Sequence, residues 1–231
     1  MSASPIAAMF DRISPKYDAL NHLLSLNIDK VWRRKTAKAV AKSQPKTILD
    51  LATGTADLAL ALAKHNPLAH IIGMDISEKM LDIGKAKVAQ RKMENQIELR
   101  LGDAAALPFE DNSFDAVTVA FGVRNFENLD KGLNDISRVL KPKGNAVILE
   151  FSMPERFPMK QLYSFYFKRI LPIIGRLVSK DPNAYSYLPQ SVERFQKPDD
   201  FMRLLAEKGL KNGTKRQLSL GIATLYTAEK Q

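Results

Sequence analysis

Apolar residues recur along this chain with two different periods, and the change from one to the other falls near residue 47. Over residues 5–46, Phe10, Ile13, Tyr17, Leu20 and Leu24 stand three or four apart and make one helical face. Ser14 and Pro15 break into that face with an N-cap residue and a first-turn proline, which predicts a helix that starts at Pro15 instead of running through it. A second helix is predicted around Ile28–Ala41. In and just after it, Lys30, Arg33, Arg34, Lys35, Lys38 and Lys42 stand against a single acid, Asp29.

From Thr47 the rhythm becomes short apolar runs separated by helical stretches. The runs are Thr47–Leu51, His70–Met74, Ile97–Leu101, Asp115–Ala120 and Asn145–Phe151; helices are predicted over Ala56–His65, Glu78–Lys92 and Asn128–Leu140, the last closed by a turn at Lys141–Gly144. Such alternation implies a parallel sheet covered on both faces. An insertion rich in Phe, Tyr, Ile and Leu runs from Met153 to about Pro198. A helix over Pro198–Lys208 then leads to two runs, Leu210–Gln217 and Ile222–Ala228, short enough to pair as a hairpin at the sheet edge. The expected fold is α/β: a doubly wound, mostly parallel sheet ending in an antiparallel hairpin. One domain is expected over 1–231, with a helical lid or substrate segment at 1–46, a cofactor-binding core at 47–151, a helical substrate insertion at 152–198 and a C-terminal helix and hairpin at 199–231.

Composition agrees with one domain, since 231 residues at 45% apolar content suffice for a sizeable core. The absence of cysteine removes disulfides, thiolate metal sites and a cysteine nucleophile, and fits a reducing, cytoplasmic setting. His22, His65 and His70 are scattered without metal spacing, so no metal is expected. The first ten residues lack the basic and apolar regions of a signal peptide. Lys168, Arg169, Arg176 and Lys180 interrupt the most apolar stretch well short of the ~18 residues needed to span a bilayer, which limits membrane contact to the periphery. A formal charge of +10 suits nucleic acid and anionic lipid equally well.

The loop after the first strand carries the first chemistry. Asp50–Asp57 (DLATGTAD) opens the first helix at the carboxyl edge, where a doubly wound sheet places its ligand. A dinucleotide site wants G-x-G-x-x-G and a helix N-terminus free of competing anions. Here a single glycine, Gly54, stands between Asp50 and Asp57, and both acids would repel a pyrophosphate. The same acids attract the sulfonium and ammonium groups of S-adenosyl-L-methionine, which carries no phosphate. Asp75 ends the second strand, placed to accept both ribose hydroxyls. Asp103 and Ala104 follow the third, the carboxylate for an adenine amino group and a backbone N–H for the ring. Any one of these acids serves equally well as a strand-end cap; their recurrence at successive strand ends is what points to a cofactor.

Longer motifs run along nearly the whole chain: Phe10–Asn21 (FDRISPKYDALN), Trp32-Arg33, Asp50–Asp57, Ala120–Asn125 (AFGVRN), Val139–Gly144 (VLKPKG), Leu149–Pro154 (LEFSMP), and Ala184–Leu188 (AYSYL) with Ser191. On these residues the sequence resembles the quinone-biosynthesis C-methyltransferases, which make menaquinone and ubiquinone. The resemblance implies a class I S-adenosylmethionine-dependent methyltransferase fold and methylation of a prenylated quinol, demethylmenaquinol first and a 2-polyprenyl-benzoquinol as the alternative. It implies cofactor contacts at Thr55, Asp75, Asp103 and Ala104, to which the loop reading adds Asp50 and Gly54, and substrate-side roles for Arg124 and Asn125 as the catalytic pair. Two positions depart from the pattern. Ala56 stands where many relatives have glycine, implying a helix-compatible backbone and a stiffer loop. Ala120, on the cofactor side, stands where a serine can contact the cofactor, so that hydrogen bond is absent.

Phenols ionise near pH ~10, so a neutral hydroquinone is a poor carbon nucleophile at pH 7. A fixed cation lowers such a pKa by roughly 1–3 units. Arg124, which stays protonated, is expected as that cation and not as the base; Asn125 is expected to hydrogen-bond the same oxygen or orient a water, and the base is left open. The competing reading of Arg124 is an ion pair with a neighbour such as Glu127. Tyr17, Tyr163, Tyr166, Tyr185 and Tyr187 are expected on the substrate side, with Phe165 and Phe167, although an aromatic stripe also serves as core packing. No nucleic acid is expected as a partner. The FGVRN run occupies the place of the Asn-Pro-Pro-Tyr of base-methylating enzymes, and cytosine C5 chemistry needs a cysteine. A protein that holds the cofactor without catalysis is the other alternative. The basic 30–42 helix and the apolar 158–178 stretch favour peripheral contact with an anionic membrane, at its cytoplasmic inner face. The oligomeric state is open, a homodimer included.

Overall fold

The structure, a computed structural model, describes residues 5–170 and 182–231; the side chains of Lys168 and of residues 182–186 lie outside that description. Two helices, α1 (Pro5–Leu24) and α2 (Ile28–Val40), precede the sheet. The core then runs β1 (Thr47–Leu51), α3 (Asp57–His65), β2 (His70–Asp75), α4 (Glu78–Gln90), β3 (Ile97–Leu101), β4 (Phe114–Ala120), α5 (Leu129–Val139) and β5 (Leu140–Phe151). After β5 come α6 (Met159–Phe165), which continues as a π-helical turn over Tyr166–Ile170, then α7 (Pro182–Arg194), α8 (Pro198–Glu207), β6 (Leu210–Leu218) and β7 (Ala223–Lys230).

The seven strands lie in the order β3-β2-β1-β4-β5-β7-β6. The first five are parallel, and β7 runs antiparallel to both β5 and β6, as the sequence pattern predicts. The period of two along β1 assigns its side chains to opposite layers. Ile48 packs with Ile71 and Ala116 beneath α2 and α3, while Leu49 and Leu51 pack with Val117 and Val119 beneath α5 and α8. Strand order reverses between β1 and β4, and the loops leaving their carboxyl ends part there to form a crevice.

Three local expectations are corrected. First, α1 does not start at Pro15; it begins at Pro5 and runs through. Proline has no N–H to give the carbonyl of Asp11, which normally costs the helix a bond. Here the Ser14 hydroxyl donates to that Asp11 carbonyl (3.1 Å), so the acceptor is satisfied and the helix continues. Second, Ala56 is not helix-compatible: its φ of 65° lies in the left-handed region, and the loop keeps the glycine conformation while carrying a Cβ. Third, β5 starts at Leu140, taking in the expected Lys141–Gly144 turn. Phe114 pairs with Leu140 and Ala116 with Asn145, so the extra residues form an irregularity in one long strand.

Candidate active site

The crevice between β1 and β4 is closed from above by α1, whose Ile6, Phe10 and Tyr17 face it. Below them the strand-end loops supply the polar wall. Asp75 accepts the Gly54 N–H at 2.8 Å on one oxygen and the Ser77 N–H at 2.9 Å on the other. Burial raises its pKa, against the backbone N–H groups that favour the anion. Asp75 also lines the cleft, where a carboxylate can accept from a vicinal diol. Gly54, Asp103, Ala104, Ala120 and Asn125 line the same cleft. Asp103 is exposed and caps its own turn, accepting from the Ala105 N–H (2.9 Å). Gly122 is there for space: a Cβ on it would fall 2.3 Å from the Cβ of Ala52, so the loops after β1 and β4 touch only because it has none.

Two residues expected in the cofactor set turn elsewhere. Both Asp50 oxygens point into the sheet, one accepting from Thr53 Oγ1 and the other from Thr118 Oγ1, each at 2.6 Å. Burial pushes its pKa up to about 6 in spite of those bonds. Asp50 therefore anchors the loop from beneath and does not line the cleft. The Thr55 hydroxyl is likewise taken, donating to Asp18 of α1 (2.6 Å) and accepting from Lys87 of α4 (3.1 Å). Lys87 also donates to Asp18 (2.9 Å) and to Asp57, and Asp11 accepts from the hydroxyl of Ser77 (2.6 Å). Helix α1 is thus pinned at two points beside the loops after β1 and β2. The cleft lining contains three carboxylates, Asp75, Asp103 and Glu127, and no lysine or arginine among the described residues. That donor set fits a cationic cofactor without phosphate and opposes a pyrophosphate.

A second cavity, about 670 Å³, lies beside the first, enclosed by α1, α2, α6 and α7 and dominated by apolar side chains. Phe10, Tyr17 and Phe121 belong to both walls. Phe121 follows β4 with φ 59° and stacks on Phe151 at 4.4 Å, with Trp32 close by at 5.9 Å. Of the tyrosines expected on the substrate side, Tyr17, Tyr163, Tyr166 and Tyr187 all line this cavity, while the Tyr185 side chain lies outside the described residues. Tyr166 donates to the carbonyl of Leu24 (2.8 Å), and Tyr187 to Oδ1 of Asn125 (2.9 Å). Burial raises the pKa of Tyr17 although Arg33 and Arg124 both act to lower it, and burial raises that of Tyr163 as well.

Arg124 faces the cavity and is ion-paired, as in the competing reading, but the partner is Glu150 and not a chain neighbour such as Glu127. Its Nη1 donates to Glu150 (2.7 Å) and to the Phe121 carbonyl (2.6 Å), and its Nε to Ser191 Oγ (3.2 Å). The Glu150 side chain is fully buried and also accepts the Phe151 N–H (2.8 Å). The expected cation is thus ion-paired, and it presents an oriented guanidinium edge to the cavity. A second guanidinium, that of Arg33, sits 5.4 Å from the Phe121 ring and is paired to Asp29. Sequence reading singles out neither Glu150 nor Arg33 for a role, although both fall inside recognised motifs. Lys87 carries no signal at all, being one lysine of a solvated-looking helix.

The sequence profile of the ubiE/COQ5 methyltransferase family matches residues 2–230. The chain belongs to this family. A demethylmenaquinone methyltransferase from Bacteroides fragilis is 46% identical over 225 residues, covering 97% of this chain and 92% of that protein. The ubiquinone/menaquinone biosynthesis C-methyltransferase UbiE of Geobacter sulfurreducens is 46% identical over 226 residues, covering 97% and 88%. Among solved structures, a methyltransferase described as S-adenosylmethionine-dependent from Thermotoga maritima superposes with a TM-score of 0.66 at 17% identity, covering 97% of this chain and 99% of that one. As a member of the ubiE/COQ5 family the chain is a methyltransferase.

Proposed function

We propose that this methyltransferase moves a methyl group from S-adenosylmethionine to a ring carbon of a prenylated quinol, converting demethylmenaquinol to menaquinol. The carrying observation is the common wall: a carboxylate-lined cleft and a 670 Å³ apolar cavity meet at Phe10, Tyr17 and Phe121. That volume lies within the roughly 300–1,000 Å³ of small-molecule sites. The named activity of the Bacteroides relative supports the naphthoquinol as acceptor, and the 2-polyprenyl-benzoquinol stands as the second substrate.

In this reading Asp75 holds the ribose through its two carboxylate oxygens, and Asp103 with Ala104 borders the adenine. The bound cofactor supplies an electrophilic methyl group. Phe121 and Tyr17 place the quinol ring at the junction and keep water from the reacting carbon. The Arg124 guanidinium edge and the Asn125 amide then donate to the quinol oxygen, favouring its ionised form so that electron density reaches the adjacent ring carbon. Asp50 and Thr55 act behind the wall, setting the loop and the lid. The quinol O–H proton leaves to water at the cavity mouth. Once the S–CH3 bond has been exchanged for the new C–CH3 bond, the ring carbon loses its hydrogen as a proton and the oxygen is reprotonated, which restores the aromatic quinol with one proton released in all.

The tail is proposed to leave the cavity toward an anionic bilayer on its cytoplasmic face. Leu23, Leu26, Ile28 and Leu162 line the cavity and are also exposed. Lys30, Arg34, Lys38 and Lys42 recur every four residues nearby, all exposed. Among the described residues no helix is long and apolar enough to cross a membrane.

The test is incubation of the purified chain with methyl-labelled cofactor and each quinol, reduced and presented in detergent. Mass spectrometry is expected to find a labelled ring methyl on the naphthoquinol. Label in neither quinol would overturn the proposal.

A further inference from the structure

Helix α7 reaches the transfer site at two points one turn apart. Tyr187 Oη donates to Oδ1 of Asn125 (2.9 Å). Ser191 Oγ donates to the Leu188 carbonyl (2.9 Å), which leaves it an acceptor, and it takes the Nε–H of Arg124 (3.2 Å). Residues i and i+4 share a helical face, so one face of α7 holds two consecutive residues of the short helical turn Val123–Asn125. Asn125 lines the cofactor cleft while Tyr187 lines the apolar cavity, so the bond spans the seam between the compartments.

We infer that Tyr187 is a positioning residue for the methyl transfer, setting the amide of Asn125 so that its Nδ2 donates to the quinol oxygen. This inference rests on the quinol reading above. An asparagine amide is two-faced, with oxygen and nitrogen nearly equal in shape, and a free one samples both orientations. An O–H donor fixed against Oδ1 removes that ambiguity, because the nitrogen is then forced to the other side. Burial pushes the Tyr187 phenol up, so it remains a donor throughout the neutral range. Arg124 needs the same service from Ser191 less, since Glu150 and the Phe121 carbonyl already hold its guanidinium.

The experiment is a double-mutant cycle on the full chain with demethylmenaquinol as the acceptor. Tyr187→Phe is expected to lower kcat roughly tenfold, the scale of one lost hydrogen bond, with KM and cofactor affinity within twofold of wild type. In an Asn125→Ala background the same change is expected to cost nothing further. Asn125→Asp keeps the acceptor for Tyr187 and deletes the Nδ2 donor, so its kcat is expected to be as low as that of Asn125→Ala, independently of whether Tyr187→Phe folds. An unchanged kcat in Tyr187→Phe, additive losses in the double variant, or wild-type turnover in Asn125→Asp would each overturn the assignment. Absence of quinol methylation by the wild-type chain would instead overturn the proposed function, and is read from the same assay.

Discussion

Asp50 and Asp75 are both buried carboxylates at strand ends, and they do opposite things because their oxygens meet different donors. Asp75 turns to the cleft with backbone N–H groups behind it, so Asp75→Ala is expected to weaken cofactor binding tenfold or more, since bonds to a charged group contribute about 1.5–3 kcal/mol each. Calorimetry on the folded variant checks this. Asp50 turns away, and its pKa of about 6 lies above the 3.8 of an ordinary aspartate. The folded state thus binds that proton more tightly than the unfolded state, and stability falls as pH rises from about 4 to about 6, by about 3 kcal/mol in all. Asp50→Asn removes the charge and lets Thr53 or Thr118 accept from the new amide. Its melting temperature is expected to exceed wild type at pH 8 and to converge on it near pH 4; a pH-independent difference would show that the buried charge is not the cause. The acids at successive strand ends were legible in the sequence because strands announce their ends. Which way each side chain turns was not, because the Asp50 partner Thr118 lies 68 residues away.

At the scale of elements, the strands and core helices followed from periodicity to within a few residues, since packing on a sheet enforces the pattern that the sequence displays. The misreading of α1 shows where that logic stops: a proline rule presumes an unsatisfied carbonyl, and Ser14 supplies the missing donor from inside the helix. The pins that seat α1 were equally hidden, because Asp11, Asp18 and Lys87 look like ordinary surface charges until the fold brings them together. Asp18→Ala removes the acceptor shared by Thr55 and Lys87, and is expected to raise the cofactor dissociation rate about tenfold while leaving the global unfolding transition close to wild type. Stopped-flow displacement of bound cofactor measures the rate. A changed melting transition with an unchanged rate would assign the cluster to the core instead.

Over the whole molecule, the +10 charge and the apolar cavity mouth become one feature, because the basic stripe of α2 begins beside Leu26 and Ile28. Reversal of three stripe charges, Lys30→Glu with Arg34→Glu and Lys38→Glu, is expected to abolish sedimentation with anionic liposomes. Wild-type binding should fade between 0.1 M and 1 M salt as the screening length drops from about 10 Å to about 3 Å. Equal binding to neutral vesicles would count against an electrostatic contact. Composition left this surface ambiguous, since charge alone suits nucleic acid as well, and what supports the lipid reading is that the stripe begins beside the apolar residues of the cavity mouth. The wall shared by the compartments has a consequence for the order of events. Phe10 and Tyr17 ride on the same helix and border both cavities, so a shift of α1 at these residues alters the two together. Exchange of donor and acceptor is therefore expected to be coupled through this one helix, so that product held in one cavity slows exchange at the other, which product-inhibition kinetics would read.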